Sequence, residues 1–295
     1  MKKNLFNSEL ELYENASLKK YNTLHLECIC KYLIFPKNVS ELKDILKICK
    51  NNKIKYLILG NGSNIILKNK RFNGVIIKLD RLNDIKYNKN TITVEAGYSL
   101  IKLANETVAK GLSGLEFASG IPGQVGASTA MNAGAYNNSM SNIVESVTVL
   151  TPELKVTEIE NKDLDFQYRD SFLKQNPDYI VLSVKLKLSK GNTEEMKNDI
   201  ETKRQKRFST QPLDKPTAGS VFRNPENNYA GALIEELNFK GYKIGGAEVS
   251  SKHANFIINS GDATGKDIVK LINKIQKEVK KKYNIELKLE QIIIE

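Results

Sequence analysis

The sequence predicts an α+β fold, or an α/β one with antiparallel parts, with a larger N-terminal part and a smaller C-terminal one. Three observations carry this. Up to about residue 190, apolar runs of strand length alternate with two helical patterns, giving two βαβ-like passes. Near Asn192 the period changes, and a long polar helix interrupts the alternation. The last hundred or so residues mix helix and strand signals. A chain of 295 residues has room for a sizeable core and for more than one domain.

The elements follow in order. "YLIFPKNVSELKDILKICKNNKIKYLILGNGSNIIL" reads as strand, helix, strand, turn and strand. Pro36 ends the first strand, Ser40 is the expected N-cap, and Leu42, Ile45, Leu46 and Cys49 share one helical face. "NGVIIKL" and "TITVEAG" are strands. Ser99 then caps a second helix that turns Leu100, Leu103, Ala104 and Val108 inward, with Gly111 closing it. "IVESVTVLT" and "DYIVLSVKLKL" are strands, and "NTEEMKNDIETKRQKR" is a polar helix. A short helix "AGALIEEL", a strand "ANFIINS", a long helix near 265–282 and a final strand over about 285–294 complete the chain. The long helix buries Ile268, Leu271, Ile272, Ile275 and Val279 and leaves the basic run "KEVKKKYN" outside. A division is expected near residue 190, before the mixed segment.

Composition narrows the class. With 40% hydrophobic and 27% charged residues the chain reads as a soluble globular protein. No apolar run approaches the roughly 18 residues of a membrane span, and the opening "MKKNLFNSELELYEN" has no apolar h-region, so the expected place is the cytoplasm, with no membrane partner. Three cysteines make no disulfide framework. His25, Cys28 and Cys30 have no second ligand pair at zinc-like spacing, so no metal is expected. The net charge of +11 comes from scattered lysines without interleaved aromatics, which does not point to nucleic acid. Only six basic residues are arginine, and four of these, Arg169, Arg204, Arg207 and Arg223, lie between 169 and 223. Those four are candidates for gripping carboxylate or phosphate.

Two glycine loops stand out. "LGNGSN", Leu59 to Asn64, has the start of a dinucleotide fingerprint, but Ile65 replaces the third glycine and a strand follows. Gly60, Asn61, Gly62, Ser63 and Asn64 form either a plain tight turn or a nest of backbone N–H groups for an anion. From Phe117 to Val144 no residue is charged. Within that span Gly120, Ile121, Pro122, Gly123, Gly126, Ala127, Asn132 and Gly134 form a loop of small residues. It suits either close packing of two backbones or a cofactor with a broad ring and a diphosphate held by backbone amides, for which a flavin dinucleotide fits.

"LGNGSN", "GLSGLEFASGIPGQVGASTAMNAGAY", "YRDS", "QPLDKPTAGSVFRNP", "AGALIEEL", "KGYKIGGAEVSSKHANFI" and "IELKLEQIII" occur in this order. Together they resemble the UDP-N-acetylenolpyruvoylglucosamine reductases, the UDP-N-acetylmuramate dehydrogenases of bacterial cell-wall precursor synthesis, in the subclass without an extra tyrosine loop. The resemblance runs from about Tyr21 to the C-terminus. It implies a two-subdomain FAD-binding domain of the vanillyl-alcohol-oxidase (PCMH) type over 1–190, with subdomains of about 1–75 and 76–190, and an α/β substrate domain over 191–295, whose last strand returns toward the active site. It implies FAD and NADPH as cofactors and a UDP-sugar enolpyruvyl ether as substrate, in a protein expected to be a monomer. Three departures stand against the family pattern. The stretch "NTLHLECIC" lacks an apolar-Gly-Gly step, Ala127 replaces the second of a glycine pair, and Lys288-Leu289 precede Glu290 where Glu-Pro is usual.

Carried onto this chain, the family's chemistry falls on Arg169, Ser220 and Glu290. An enol ether resists hydride until its carboxylate draws electrons. Arg169 would pair with that carboxylate as charge develops, and Glu290, carrying its proton, would add a hydrogen bond. Ser220 would supply the proton to the neighbouring carbon. Tyr168, Arg223, Asn224 and Asn255 are the expected substrate contacts, and Arg204 and Arg207 the candidates for a phosphate.

Overall fold

The computed structural model describes residues 5–6 and 9–295. The other opening residues, part of the stretch read as lacking a leader, lie outside the described residues. Two compact units divide the chain, each assembled from separate stretches. One comprises Met1–Tyr13, Tyr32–Gly60 and Gly74–Gln205; the other comprises Glu14–Lys31, Asn61–Asn73 and Lys206–Glu295. Each unit thus draws on stretches from both sides of the divisions expected at 75 and 190. The reason is long-range pairing inside the second unit. Ile292, Ile293 and Ile294 pair in parallel with Ile65, Ile66 and Leu67, and Asn259 Nδ2 donates to the Leu24 carbonyl at 2.9 Å.

In the first unit, helix α1 spans Val39–Asn51 and turns Leu42, Ile45, Leu46 and Cys49 into the core, as their spacing predicts. Its cap is Asn38, not Ser40. The Asn38 carboxamide oxygen accepts the Glu41 N–H at 2.9 Å, and Ser40 already lies inside the helix. Strand Tyr56–Ile58 pairs in parallel with Val75–Ile77, which completes the first pass. Helix α2, Leu100–Ala109, is capped by Ser99 and closed by Gly111 at φ +71°, as expected.

The second pass is not a βαβ unit. Strands Ile85–Asn88, Thr91–Glu95, Ile180–Lys187, Val144–Leu150 and Val156–Glu160 make a five-stranded sheet in that spatial order, and every pairing is antiparallel. The short helix α3, Val125–Ala130, lies inside the charge-free span, and α4, Phe172–Gln175, follows the "YRDS" motif. The polar helix α5, Thr193–Thr210, buries only Met196. On it Arg204 stands 3.7 Å from Glu201 with most of its side chain in solvent, an ordinary surface pair.

The second unit holds a four-stranded antiparallel sheet, ordered Thr217–Ser220, Phe256–Asn259, Ala247–Val249 and Lys243–Ile244. With it come α6, Ala230–Glu236, and α7, Gly265–Tyr283. The predicted stripe of α7 is buried throughout. Each fully buried Ile or Leu there contributes roughly 1.5–3 kcal/mol. The final strand is shorter than expected. Only Ile292–Ile294 is strand, because residues 284–291 follow α7 and the Ser220 segment by single contacts, such as Gln276 Nε2 to the Leu287 carbonyl at 2.9 Å. Cys28, Cys30 and Cys49 are free and buried, and burial pushes each thiol up to about 11. No helix among the described residues is long and apolar enough to cross a membrane.

Close backbone approach fixes several turns. A Cβ on Gly97 would lie 1.9 Å from the Leu79 carbonyl oxygen and 2.8 Å from that of Leu82. Backbone cannot yield as a side-chain tip can, so Gly97→Ala should cost about 2–4 kcal/mol. Thermal unfolding of the variant checks this, with a clear drop in Tm expected.

Candidate active site

Within the first unit, the "YRDS" motif is a two-residue hairpin turn. Gln167 and Asp170 exchange backbone hydrogen bonds at 3.0 and 3.1 Å, with Tyr168 and Arg169 at the tip. Arg169 has φ +57°, a left-handed conformation uncommon for a long side chain. Three contacts hold it so. Its Nη2 donates to the Gly134 carbonyl at 2.6 Å, Lys174 Nζ donates to the Arg169 carbonyl at 2.8 Å, and the guanidinium lies 5.1 Å from the Tyr168 ring centroid. Tyr168 is exposed and Arg169 half-buried.

The charge-free loop grips this hairpin. Asn132 Nδ2 donates to the Gln167 carbonyl at 2.8 Å, its Oδ1 accepts the Ser141 N–H at 3.0 Å, and Ser171 Oγ donates to the Ala130 carbonyl at 2.6 Å. Asn132, expected against the cofactor, is thus a buried clamp whose amide is used within the chain. Gly120, Ile121, Pro122 and Gly123 lead into α3, where a Cβ on Gly126 would lie 2.6 Å from Ala96 Cβ. Gly60 stands over the start of α3, and a Cβ there would lie 3.2 Å from Ala127 Cβ. One group was missed in the sequence: the buried Lys78 donates its Nζ to the Gly60 carbonyl at 2.7 Å. A lysine ending the apolar run "GVIIKL" was its only signal.

The second unit collects the remaining residues. Gly62 needs its left-handed φ of +64°, since a Cβ there would lie 2.3 Å from the Tyr21 carbonyl oxygen. Its own carbonyl accepts the Thr23 N–H at 3.2 Å. The amides of Gly62, Ser63 and Asn64 donate to no acceptor among the described residues, which is the arrangement an anion nest requires. The Asn64 side chain is spent elsewhere, its Nδ2 on the Glu290 carbonyl at 3.1 Å.

Ser220 follows a bulge. The register shifts between the pairs Thr217–Ile258 and Ser220–Phe256, and Gly219, at φ +76°, carries the extra residue. A Cβ on Gly219 would meet nothing within 4 Å, so the bulge opens on free space. The half-buried Ser220 hydroxyl has no hydrogen-bond partner among the described residues. Beside it runs the tail. Glu290 N–H donates to the Val221 carbonyl and Arg223 N–H to the Lys288 carbonyl, both at 2.9 Å. Ser220, Arg223 and the half-buried Glu290 are therefore on adjacent strands of backbone. Gln291, also missed in the sequence, donates its Nε2 to the carbonyls of Ala218 and Gly219 at 3.0 and 3.1 Å and so fixes the bulge.

Two expected substrate contacts also bond to backbone. Asn255 Oδ1 accepts the Phe222 N–H at 3.0 Å and its Nδ2 donates to the Phe222 carbonyl at 2.8 Å, which uses both ends of a buried amide. Asn224 Oδ1 accepts the Ala230 N–H at 3.1 Å at the head of α6.

Known proteins share this architecture. A profile of the FAD binding domain family matches residues 30–160, and one of the UDP-N-acetylenolpyruvoylglucosamine reductase C-terminal domain matches residues 211–294. The UDP-N-acetylenolpyruvoylglucosamine reductase of Clostridium novyi is 39% identical over 284 residues, 96% of this chain and 92% of the relative. The chain belongs to the UDP-N-acetylenolpyruvoylglucosamine reductase family. Another member, from Caldanaerobacter subterraneus subsp. tengcongensis, is 42% identical over 95% of this chain and 92% of its own length. The crystal structure of the Thermus caldophilus reductase superposes with a TM-score of 0.82 at 32% identity, covering 97% of this chain and 99% of that one. Family membership makes this chain an oxidoreductase with an FAD-binding domain, and it supports the α+β class read from the sequence.

Histidine chemistry beside the Asn255 clamp gives a pH prediction. His253 Nδ1 accepts the Asn255 N–H at 3.2 Å, which requires a neutral ring, and burial holds its pKa below 6.5. The folded pKa is depressed, so the contribution to stability is complete above the unfolded value of about 6.5 and is lost as pH falls through the folded one. The difference in unfolding free energy between wild type and His253→Gln should be constant above about pH 6.5 and shrink below it. Urea titrations from pH 8 to pH 5 measure it.

Proposed function

We propose that this protein is an NADPH-dependent flavoenzyme that reduces UDP-N-acetylglucosamine enolpyruvate to UDP-N-acetylmuramate, a step of peptidoglycan precursor synthesis. The single observation that best supports it is the Ser220 bulge: a hydroxyl with no partner among the described residues, next to a Gly219 that opens on free space, braced by the Glu290 tail. Bound FAD would supply hydride, taken from NADPH and given to the methylene carbon of the enolpyruvyl group. The residues present fit that group. Gly60, Asn61, Gly62, Ser63 and Asn64 would hold the diphosphate through backbone amides. The stretch Gly120 to Ala127, with Gly134 near it in the same unit, would leave room for the flavin ring.

The chain's own residues would do the rest. Arg169 would pair its guanidinium with the substrate carboxylate and stabilise the enolate-like charge that develops there. Glu290 would add a hydrogen bond to the same charge from the tail. Ser220 would give its hydroxyl proton to the carbon next to the one that receives hydride, and take one back from solvent. Tyr168 and Arg223 remain proposed substrate contacts. For Asn224 and Asn255 we propose positioning through backbone, and for Asn132 positioning of the Arg169 hairpin. The substrate is a small UDP-sugar, and the site is read as that of a monomeric cytoplasmic enzyme with no metal.

The test is spectroscopic. Without oxygen, NADPH should bleach the flavin bands and the enolpyruvyl substrate should restore them. Ser220→Ala should bleach at the wild-type rate but recover roughly 10²–10⁴-fold more slowly. Equal recovery in the variant would remove Ser220 from the proton step, and a protein that takes up no FAD would overturn the whole reading.

A further inference from the structure

Lys78 is a cation where the fold leaves little room for one. It is 4% exposed, and burial pushes its pKa down against the opposing pull of Asp80. Desolvating an ammonium costs several kcal/mol even after the surroundings relax. None of the chemistry proposed above uses this charge.

Its contacts join two segments distant in sequence. Lys78 Nζ donates to the Gly60 carbonyl at 2.7 Å and stands 3.3 Å from Asp80 Oδ2. The Lys78 ammonium is thus the counter-charge of that buried oxygen. The other oxygen, Oδ1, accepts from Gln124 Nε2 at 2.5 Å. Gln124 is 5% exposed and is the last residue before α3. Its Oε1 lies 3.5 Å from where a Cβ of Gly60 would be. The chain of contacts therefore starts at the first glycine of "LGNGSN", passes through strand-end residues 78 and 80, and finishes inside "GIPGQVGA". Gly60 and Ala127 are packed together at its two ends.

We propose that Lys78, Asp80 and Gln124 form a largely buried polar tie that fixes Gly60 against the start of α3, with Lys78 a positioning residue for the FAD held there. This rests on the reading of the loops as the FAD site. The tie has a distinctive sign. Replacing both partners of a buried ion pair by apolar residues of similar volume is often neutral or stabilising, whereas removing one partner strands the other charge. A lysine kept only to support the fold would lose stability and cofactor together. A positioning lysine would lose cofactor affinity alone.

The experiment uses the full chain stripped of flavin. Binding of FAD is titrated by the change in flavin fluorescence, the visible bands of the bound flavin are recorded, and the Tm of the apoprotein is measured. Lys78→Met combined with Asp80→Leu, which removes the pair whole, should leave the apoprotein Tm unchanged or raised, weaken FAD binding by about tenfold or more, and shift the visible bands. Gln124→Ala should likewise weaken FAD binding and shift the bands, and carries the test if the pair variant does not fold. Combining the two changes should bind about as weakly as the weaker of them alone, since either cuts the same tie. Wild-type affinity and bands in both variants would overturn the proposal alone, as would a parallel loss of Tm and affinity. A wild type that takes up no FAD would sink the reading of the loops and the proposal with it.

Discussion

Irregular backbone can be buried only when something other than a helix or sheet ladder satisfies its N–H and C=O groups. In this protein that duty falls on side-chain amides. Asn255 closes both hydrogen bonds of Phe222, Gln291 holds the carbonyls before Ser220, and Asn132 spans from the charge-free loop to the Arg169 hairpin. Asn22 does the same for its own segment, donating to the Leu18 and Leu26 carbonyls and accepting the Leu26 N–H. Each such amide converts a loop into a defined shape without occupying the open side of the loop. The candidate catalytic groups, Arg169, Ser220 and Glu290, all lie on backbone held this way.

Glycine supplies the complementary constraint. Where the amides pull segments together, Gly62, Gly97 and Gly126 let them meet at distances that no side chain tolerates. A charged side chain could not be desolvated at such contacts without a partner. The charge-free span from Phe117 to Val144 thus has a structural cause as well as a chemical one. Among the described residues the one buried cation near these loops, Lys78, reaches them from a neighbouring strand rather than from within.

Much of this was legible in the sequence, and the failures have physical causes. Helices α1, α2 and α7 follow their apolar periods, since a 3.6-residue stripe is written locally. The N-cap of α1 was missed by two residues because Asn38 and Ser40 are both good caps and only geometry chooses between them. The second pass was misread because strands look alike whether their partners run parallel or antiparallel. Among site residues, Arg169, Ser220 and Glu290 are candidates by their motifs, and the structure puts Ser220 and Glu290 on neighbouring backbone. The backbone bonds of Asn132, Asn224 and Asn255 were not legible for a simple reason. A polar residue in a motif has the same letter whether its amide faces a ligand or a backbone group elsewhere in the chain.

The left-handed Arg169 sets stability and activity against each other. A non-glycine residue at φ +57° carries a conformational penalty that glycine or asparagine would relieve, yet neither offers a guanidinium. A library of variants selected for heat resistance alone would drift away from arginine at this position. One selected for turnover would hold it and collect compensating gains elsewhere in the chain.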